Sequence, residues 1–326
     1  MSEIVRRIER EIGVPNLSGI LAERIEPTDL QSLLLEVYKK RVKNRKPSTV
    51  FSDYVSSNFT SSSSCDPVLL LEWDRTAFAH LPDEFIPIEL SPVSPLGSVS
   101  CMAPVSQDWV FTTIRNIEVV ADPTNVLALE CARQRQEIIQ YEPRNAHPIH
   151  LACSHRVARA QRYQDPGARQ HFRVFSLCSA GRDKGNLRFE IDALIKHIRF
   201  YIEALRDFLG PSIHLRVAIF NLSPDSYKDT VFKTPIENLR EEFKDIYFDF
   251  KKMPARKTGY YHNLRFHIYA SATRGNELEL VDGGNTNWTQ KLLNNAKERL
   301  VTSGIGSERL CENFMLARQQ SSKHKH

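Results

Sequence analysis

Along residues 1–83 apolar positions recur mostly at helical intervals. The pattern predicts a short amphipathic helix over Ser2–Ile12 and a stronger one from Thr28, placed to cap it, to Arg41. In the second, Leu30, Leu33, Leu34 and Tyr38 share a face. A Thr-Ser-Ser-Ser-Ser stretch within Ser56–Cys65 reads as a flexible loop, and a third helix is expected from Val68 to His80. From Glu84 to Glu118 the texture changes to apolar–polar alternation and prolines, which predict short strands.

A helix over Thr124–Gln140, with Thr124 as its cap, is followed by strands His150–Arg159 and His171–Cys178 around a polar loop. Then come a long helix Phe189–Leu209, a buried strand His214–Leu222 and a strand pair Gly259–Thr273 and Glu277–Asp282. Helices over Trp288–Lys297 and Ser307–Ala317 close the chain. Strands that mostly follow one another, with helices inserted, predict an α+β fold on an antiparallel sheet flanked by helices. The expected organisation is a helical N-terminal region over 1–83, a core over 84–318 and a basic disordered tail over 319–326. No internal repeat is present.

Composition narrows this further. The chain has 326 residues, 41% of them hydrophobic, which suffices for one large or two ordinary cores. No apolar stretch approaches a bilayer span, and the charged start Met1–Arg10 lacks the apolar region of a secretory signal. Cys65, Cys101, Cys131, Cys153, Cys178 and Cys311 form no CxxC pair and read as reduced, mostly buried thiols of a cytoplasmic protein. A net charge of +5, part of it in Lys323–His326, permits an anionic partner without requiring one. The basic run Lys39–Lys46 reads as a solvated helix end rather than a nucleic-acid contact.

Glycine-rich phosphate loops, a G-x-S-x-G elbow and an H-E-x-x-H helix are absent from the sequence. His147, His150, Cys153 and His155 have the composition of a metal site. In a strand, however, His150 faces one side and Cys153 and His155 the other, so four ligands do not converge and no metal is expected. The loop Arg159–Gln170 carries Arg159, Arg162 and Arg169 around an Asp165-Pro166-Gly167 turn. Guanidiniums beside an aromatic ring supply phosphate donors and a stacking platform; an exposed arginine-rich hairpin has the same composition. In Tyr260–Ala270, Tyr260, Leu264, Phe266 and Ile268 form an apolar face. Tyr261, Asn263, Arg265, His267 and Tyr269 form a polar one, as in a sheet lining a cleft or in an ordinary half-exposed strand.

The order of segments from Glu84 to Leu316 resembles the catalytic core of class II aminoacyl-tRNA synthetases, most closely the histidyl-tRNA synthetase group and its paralogues. IELSPVSPLG at Ile88–Gly97 resembles motif 1, which implies a homodimer. Asp122-Pro123-Thr124 resembles the P-E-G-T segment, which implies that Asp122 and Thr124 hold a substrate amino group. His155–Phe175 resembles motif 2, with Arg156 at the α-phosphate arginine and Phe172 at the adenine-stacking aromatic. RKTGYYHNLRF at Arg256–Phe266 resembles the R-G-L-D-Y-Y segment, with Arg256 near the α-phosphate and Tyr261 lining the amino-acid pocket. Asp282–Asn287 is similar to the G-G-R-Y-D segment, and SGIGSERL at Ser303–Leu310 resembles motif 3, with Arg309 at the γ-phosphate.

Departures qualify what the resemblance implies. Two residues after Arg156 the adenine-reading glutamate is replaced by Ala158, and the positions that read histidine fall on Val174 and Cys178. Asn285-Thr286-Asn287 stands in place of R-Y-D, and too little chain follows Leu316 for an anticodon-binding domain. The expected function is therefore activation of an amino acid or related carboxylic acid as an acyl-adenylate, with ATP and Mg²⁺ as cofactors. The acyl group would pass to an acceptor such as a tRNA or a carrier protein. The alternative is a catalytically silent amino-acid sensor like the regulatory subunit of ATP phosphoribosyltransferase.

Overall fold

The computed structural model describes residues 2–161, 170–223, 228–253, 259–271 and 277–322, with secondary structure only for 228–230, 232, 233 and 315–322. Helices α1 (Glu3–Ile12), α2 (Leu17–Gly19), α3 (Pro27–Lys43) and α4 (Pro47–Ser56) contain no buried residue, whereas α5 (Pro67–Ala79) buries Leu70, Trp73 and Ala77. Prolines set these starts. A proline has no N–H to satisfy and is pre-shaped for the first helical position. Pro27 therefore puts the cap of α3 at Glu26, not at the expected Thr28. Pro47 opens a helix that the sequence pattern did not reveal.

The chain continues as β1 (Phe85–Pro87), β2 (Val93–Pro95), β3 (Ile117–Val119), α6 (Pro123–Tyr141), β4 (Ile149–Ala158) and β5 (His171–Arg182). After α7 (Arg188–Leu209) come β6 (His214–Asn221), α8 (Lys228–Glu242), β7 (Tyr247–Lys252), β8 (Leu264–Ser271) and β9 (Leu278–Thr286). Then follow α9 (Trp288–Leu292), β10 (Glu298–Gly306) and α10 (Ser307–Ser322), which runs past the expected start of the tail at 319. The main sheet has the order β1-β4-β5-β10-β9-β8-β6-β7, antiparallel except for the β1–β4 and β6–β7 edge pairs, and β2–β3 form a separate pair. The α+β expectation holds. The α8–β7 unit, the extension of β9 to Thr286 and strand β10 were not read from the pattern.

Both faces of the sheet are covered. On one, Phe175, Leu177, Phe266, Ile268, Val301 and Ile305 pack with Trp73 of α5 and with Leu194, Ile198 and Leu205 of α7. On the other, Leu151, Cys153, Cys178 and Leu300 meet Leu127, Ala128 and Cys131 of α6 and Trp288 of α9. Burying each large side chain contributes about 1.5–3 kcal/mol. The longest helix, α7, shows why it is central: Ile191, Leu194, Ile198, Leu205 and Leu209 recur at its helical period and all are buried.

Two polar devices cross these layers. On the α6 side, fully buried Arg135 pairs with fully buried Glu298, at 2.8 Å through Nε and 3.0 Å through Nη2. Its remaining donors reach the carbonyls of His147 (2.9 Å) and Asn145 (3.1 Å). Across the sheet, His150 Nδ1 meets Ser179 Oγ at 2.7 Å, Ser179 meets His197 Nε2 at 2.9 Å, and His197 Nδ1 meets Ser303 Oγ at 2.8 Å. Burial, helped by the charge of Lys196, pushes His150 from its ordinary 6.5 down to about 4 and holds His197 well below the usual range.

Removing one charge of a buried pair strands the other, at a cost of about 3–5 kcal/mol. Glu298→Gln is expected to lower the unfolding free energy by about that amount in urea titrations. The histidines work through pH. The folded state holds them neutral while the unfolded chain protonates them, so their contribution is complete above pH 6.5 and is lost as pH falls toward 4. Between pH 8 and pH 5 His150 accounts for about 2 kcal/mol of lost stability, and His150→Asn is expected to remove that part of the pH dependence.

Candidate functional site

A cavity of about 1310 Å³ opens on the α6 side of the sheet, over β5, β10, β9, β8 and β6. It is lined by Asp122, Thr124, Phe172, Tyr261 and Arg309 together with Arg159, all brought to one place from separate segments. Asp122 is the N-cap of α6, because Pro123 occupies the first helical position; Thr124, expected as the cap, is the residue whose N–H the cap receives. Asp122 Oδ1 accepts from Thr124 N at 3.0 Å and from Thr124 Oγ1 at 2.8 Å. Its Oδ2 accepts from Tyr260 Oη at 3.2 Å and lies 3.8 Å from Arg159 Nη2.

Strand register puts Arg156 and Phe172 on different faces of the sheet. Phe172 pairs with Val157, and Arg156 pairs with Arg173. Residues alternate between faces, so Phe172 and Val174 face the cavity, whereas Arg156 points to the helix side. There Arg156 pairs with Glu308 and, at 2.9 Å, with His171 Nδ1. The guanidinium that reaches Phe172 belongs to Arg159, with Cζ 5.1 Å from the ring centroid and Nε donating to the Ala121 carbonyl at 2.8 Å. The signal was in the sequence: once Phe172 is set opposite Val157, the next odd position on that face is Arg159. Arg256, Arg162, Arg169 and the Asp165–Gly167 turn lie outside the described residues.

On β8 the alternation expected from the sequence is present: Leu264, Phe266 and Ile268 enter the core, and Arg265 and His267 line the cavity. Tyr260 departs from it. It sits in the turn before β8, edge-on to Trp288 at 5.1 Å and to Tyr261 at 4.9 Å. Arg265 forms a two-pronged pair with Asp282 (3.0 and 3.1 Å), and His267 Nδ1 lies 2.9 Å from Glu279. Burial raises the Asp282 acid despite Arg265, whereas His267, with Arg265 and Arg309 beyond it, holds Glu279 below the usual range. Arg309, at the start of α10, is exposed and has no ion-pair partner among the described residues.

Asn285, read from sequence as a lost site residue, is a clamp. Its buried Oδ1 accepts from Asn263 N (2.9 Å) and Leu264 N (2.7 Å), fixing the turn that presents the tyrosine pair. Gly284 lets Tyr261 settle: a Cβ there would stand 2.6 Å from the Tyr261 ring and 2.3 Å from the Leu264 carbonyl. Among the described residues no His, Cys, Asp and Glu group could hold a metal ion, and no helix is long and apolar enough to cross a membrane.

No protein-family model matches the chain, and no curated protein sequence matches it significantly. Solved structures do. The ATP phosphoribosyltransferase regulatory subunit/histidyl-tRNA synthetase of Bacillus halodurans aligns at 15% identity with a TM-score of 0.57, over 79% of this chain and 83% of that one. The histidyl-tRNA synthetase of S. aureus aligns at 14% and 0.54, over 80% of this chain and 69% of that one. The histidine–tRNA ligase subunit of Alicyclobacillus acidocaldarius aligns at 11% and 0.54, over 86% of this chain and 98% of that one. The fold is that of class II aminoacyl-tRNA synthetases. It is similar to the fold of histidyl-tRNA synthetase-like proteins and, with a TM-score of 0.58 at 10% identity, to that of a threonyl-tRNA synthetase of Aeropyrum pernix.

Gly284→Ala is expected to destabilise the protein by about 1–3 kcal/mol through overpacking and to displace Tyr261. Gly306→Ala, whose Cβ would meet only Arg309 Cβ at 3.5 Å, is expected to stay under about 1 kcal/mol, with thermal unfolding as the common measurement.

Proposed function

We propose that the chain activates an amino acid, or a related carboxylic acid, with ATP. The observation that carries this reading is the meeting of an ammonium-binding acid and an arginine–aromatic pair in one cavity. Asp122 offers a carboxyl oxygen framed by Thr124 and Tyr260, while Arg159 lies over Phe172 and 3.8 Å from the same carboxyl group. A zwitterion held at Asp122 by its ammonium turns its carboxylate toward Arg159. Phe172 offers a face for a purine, and Arg309, free of ion pairs among the described residues, a cation for a terminal phosphate. The carboxylate oxygen would attack the α-phosphorus and pyrophosphate would leave. This chemistry depends on positioning and charge neutralisation rather than on a general base.

Placing Arg159 at the motif 2 arginine also moves the adenine-reading position from Ala158 to Gln161, whose amide oxygen can accept from an exocyclic amine. Magnesium fits as an ion carried on the nucleotide. Glu308 is engaged by Arg156 and Ser63, and Asp282 by Arg265, so Glu279, beside His267, and Glu312 are the cavity carboxylates without an arginine partner among the described residues. The ion would neutralise phosphate charge there. The sensor reading draws on the same Asp122 pocket and on the Bacillus halodurans neighbour; ATP binding separates the two.

Arg159→Ala is expected to lower amino-acid-dependent ATP–pyrophosphate exchange at least about a hundredfold, the scale of one lost charge-stabilising group. Arg156→Ala, which removes no cavity-lining residue but leaves the cavity-lining Glu308 without its arginine, is expected to lose less. Equal losses in the two variants would sink the assignment, and amino-acid binding with neither ATP binding by calorimetry nor exchange would contradict the reading itself.

A further inference from the structure

Asp122 and Arg159 both line the cavity, yet they are neighbours that stop short of each other. Arg159 Nη2 lies 3.8 Å from Asp122 Oδ2, beyond hydrogen-bond distance. Its Nε is tied at 2.8 Å to the carbonyl of Ala121, the residue before Asp122. A small swing of either side chain would close the gap into a tight charge-assisted pair. Each would then be engaged with the other, and neither would face a ligand.

Tyr260 holds the oxygen that faces this gap. Its hydroxyl donates to the same Asp122 Oδ2 at 3.2 Å. Thr124 serves the other oxygen, with its N–H at 3.0 Å and its Oγ1 at 2.8 Å from Oδ1. A hydroxyl has one hydrogen to give, so the 3.3 Å contact between Thr124 Oγ1 and Tyr260 Oη leaves both hydrogens directed at the acid. The tyrosine is braced: its ring stands edge-on to Trp288 at 5.1 Å and to Tyr261 at 4.9 Å. Its turn is pinned to β9, where the Asn285 carbonyl accepts from His262 N at 2.9 Å. Burial, with Asp122 beside it, pushes the Tyr260 hydroxyl well above its usual range and keeps it a donor.

From this geometry we infer that Tyr260 is a positioning residue: its hydroxyl holds Asp122 off Arg159 and keeps the acid open to the ammonium of a bound amino acid. A carboxyl oxygen has two lone pairs, so an ammonium can join Tyr260 on Oδ2 without displacing it. Arg159 then stays free to meet the ligand's carboxylate or phosphate. The substrate class follows: an acid with a free ammonium, not its deaminated counterpart. The inference rests on the activation reading for Asp122 as the ammonium-binding acid. It adds the residue that keeps that acid and Arg159 apart.

The test uses the full chain and calorimetry. The proteinogenic amino acids are ranked first. The tightest binder is then compared with its deaminated acid and with its amide, which keeps the ammonium but has no carboxylate for Arg159. The amino acid is expected to exceed the deaminated acid by at least about a hundredfold. Tyr260→Phe, which keeps the ring packing, is expected to weaken the amide at least about tenfold. Adding Arg159→Ala is expected to restore it, because the competing guanidinium is gone. Arg159→Ala alone is expected to bind the amide at least as well as the wild type. Weaker binding there, or a Tyr260→Phe loss that is absent or equal in both backgrounds, would overturn the positioning role and leave Asp122 as the ammonium site. A deaminated acid that binds as tightly as the amino acid, or no binding by any amino acid, would overturn the positioning role together with the ammonium site.

Discussion

In the paired strands β4 and β5 each residue points away from its neighbour, and since helices cover both faces, a one-residue difference decides which chemistry a side chain can reach. Arg156 and Arg159 differ by an odd number of positions. Arg156 consequently meets Glu308 and His171 against the helices, and Arg159 meets Asp122 and Phe172 in the cavity. The same alternation gives β8 an apolar side of Leu264, Phe266 and Ile268 and a charged side of Arg265 and His267. Without a second layer of helices, Arg156 would simply turn to solvent and the distinction would carry less weight.

Holding that alternation in register requires the strands to stay where they are relative to α6, which brings Asp122 to the cavity. The Arg135–Glu298 pair does this from the far end of α6, tying the helix to the first residue of β10. A fully buried position there would be a poor place for an isolated charge, but each guanidinium nitrogen of Arg135 makes a hydrogen bond. The His150–Ser179–His197–Ser303 chain plays the corresponding part across the helix-covered face, where neutral imidazoles link β4, β5, α7 and β10. Polar groups thus fix the layers at discrete points, and the apolar contacts between those points set their spacing.

Sequence carried the elements best where periodicity was long. Arg188–Leu209 and Pro123–Tyr141 were legible within a residue or two because their apolar positions repeat over several turns. Helix α4 and the α8–β7 unit were not, being short or mixed in pattern, with Pro235 inside α8. At the site, Asp122, Thr124, Phe172, Tyr261 and Arg309 were legible as candidates and share the cavity, whereas Arg156 does not line it and Arg159 does. The reason is specific: faces within one strand follow from its own sequence, whereas the pairing of two strands across a long loop does not. Asn285 shows the same limit, since its hydrogen bonds run to Asn263 in the turn before β8 and to Leu264 at its start, and leave no local pattern.

The charge arrangement bears on what such a cavity can accept. Its carboxylates outnumber what an anionic ligand would tolerate if they were free, yet Asp282 is matched by Arg265, Glu279 by His267 and Glu308 by Arg156. Among the described residues this internal pairing leaves Asp122 at one side, framed by hydroxyls, and Arg309 and Glu312 on α10 at the other, Glu312 accepting only from Ser64 Oγ. Arg159 stands between the two roles, 3.8 Å from Asp122, close enough to be attracted but too far for a tight pair. A bound ammonium would take over Asp122 and release that guanidinium toward a carboxylate or phosphate. A cavity that sensed a free amino acid alone would need Asp122 and Arg159 only; Arg309, held out on the first turn of α10, gains a purpose when the ligand extends to a chain of phosphates.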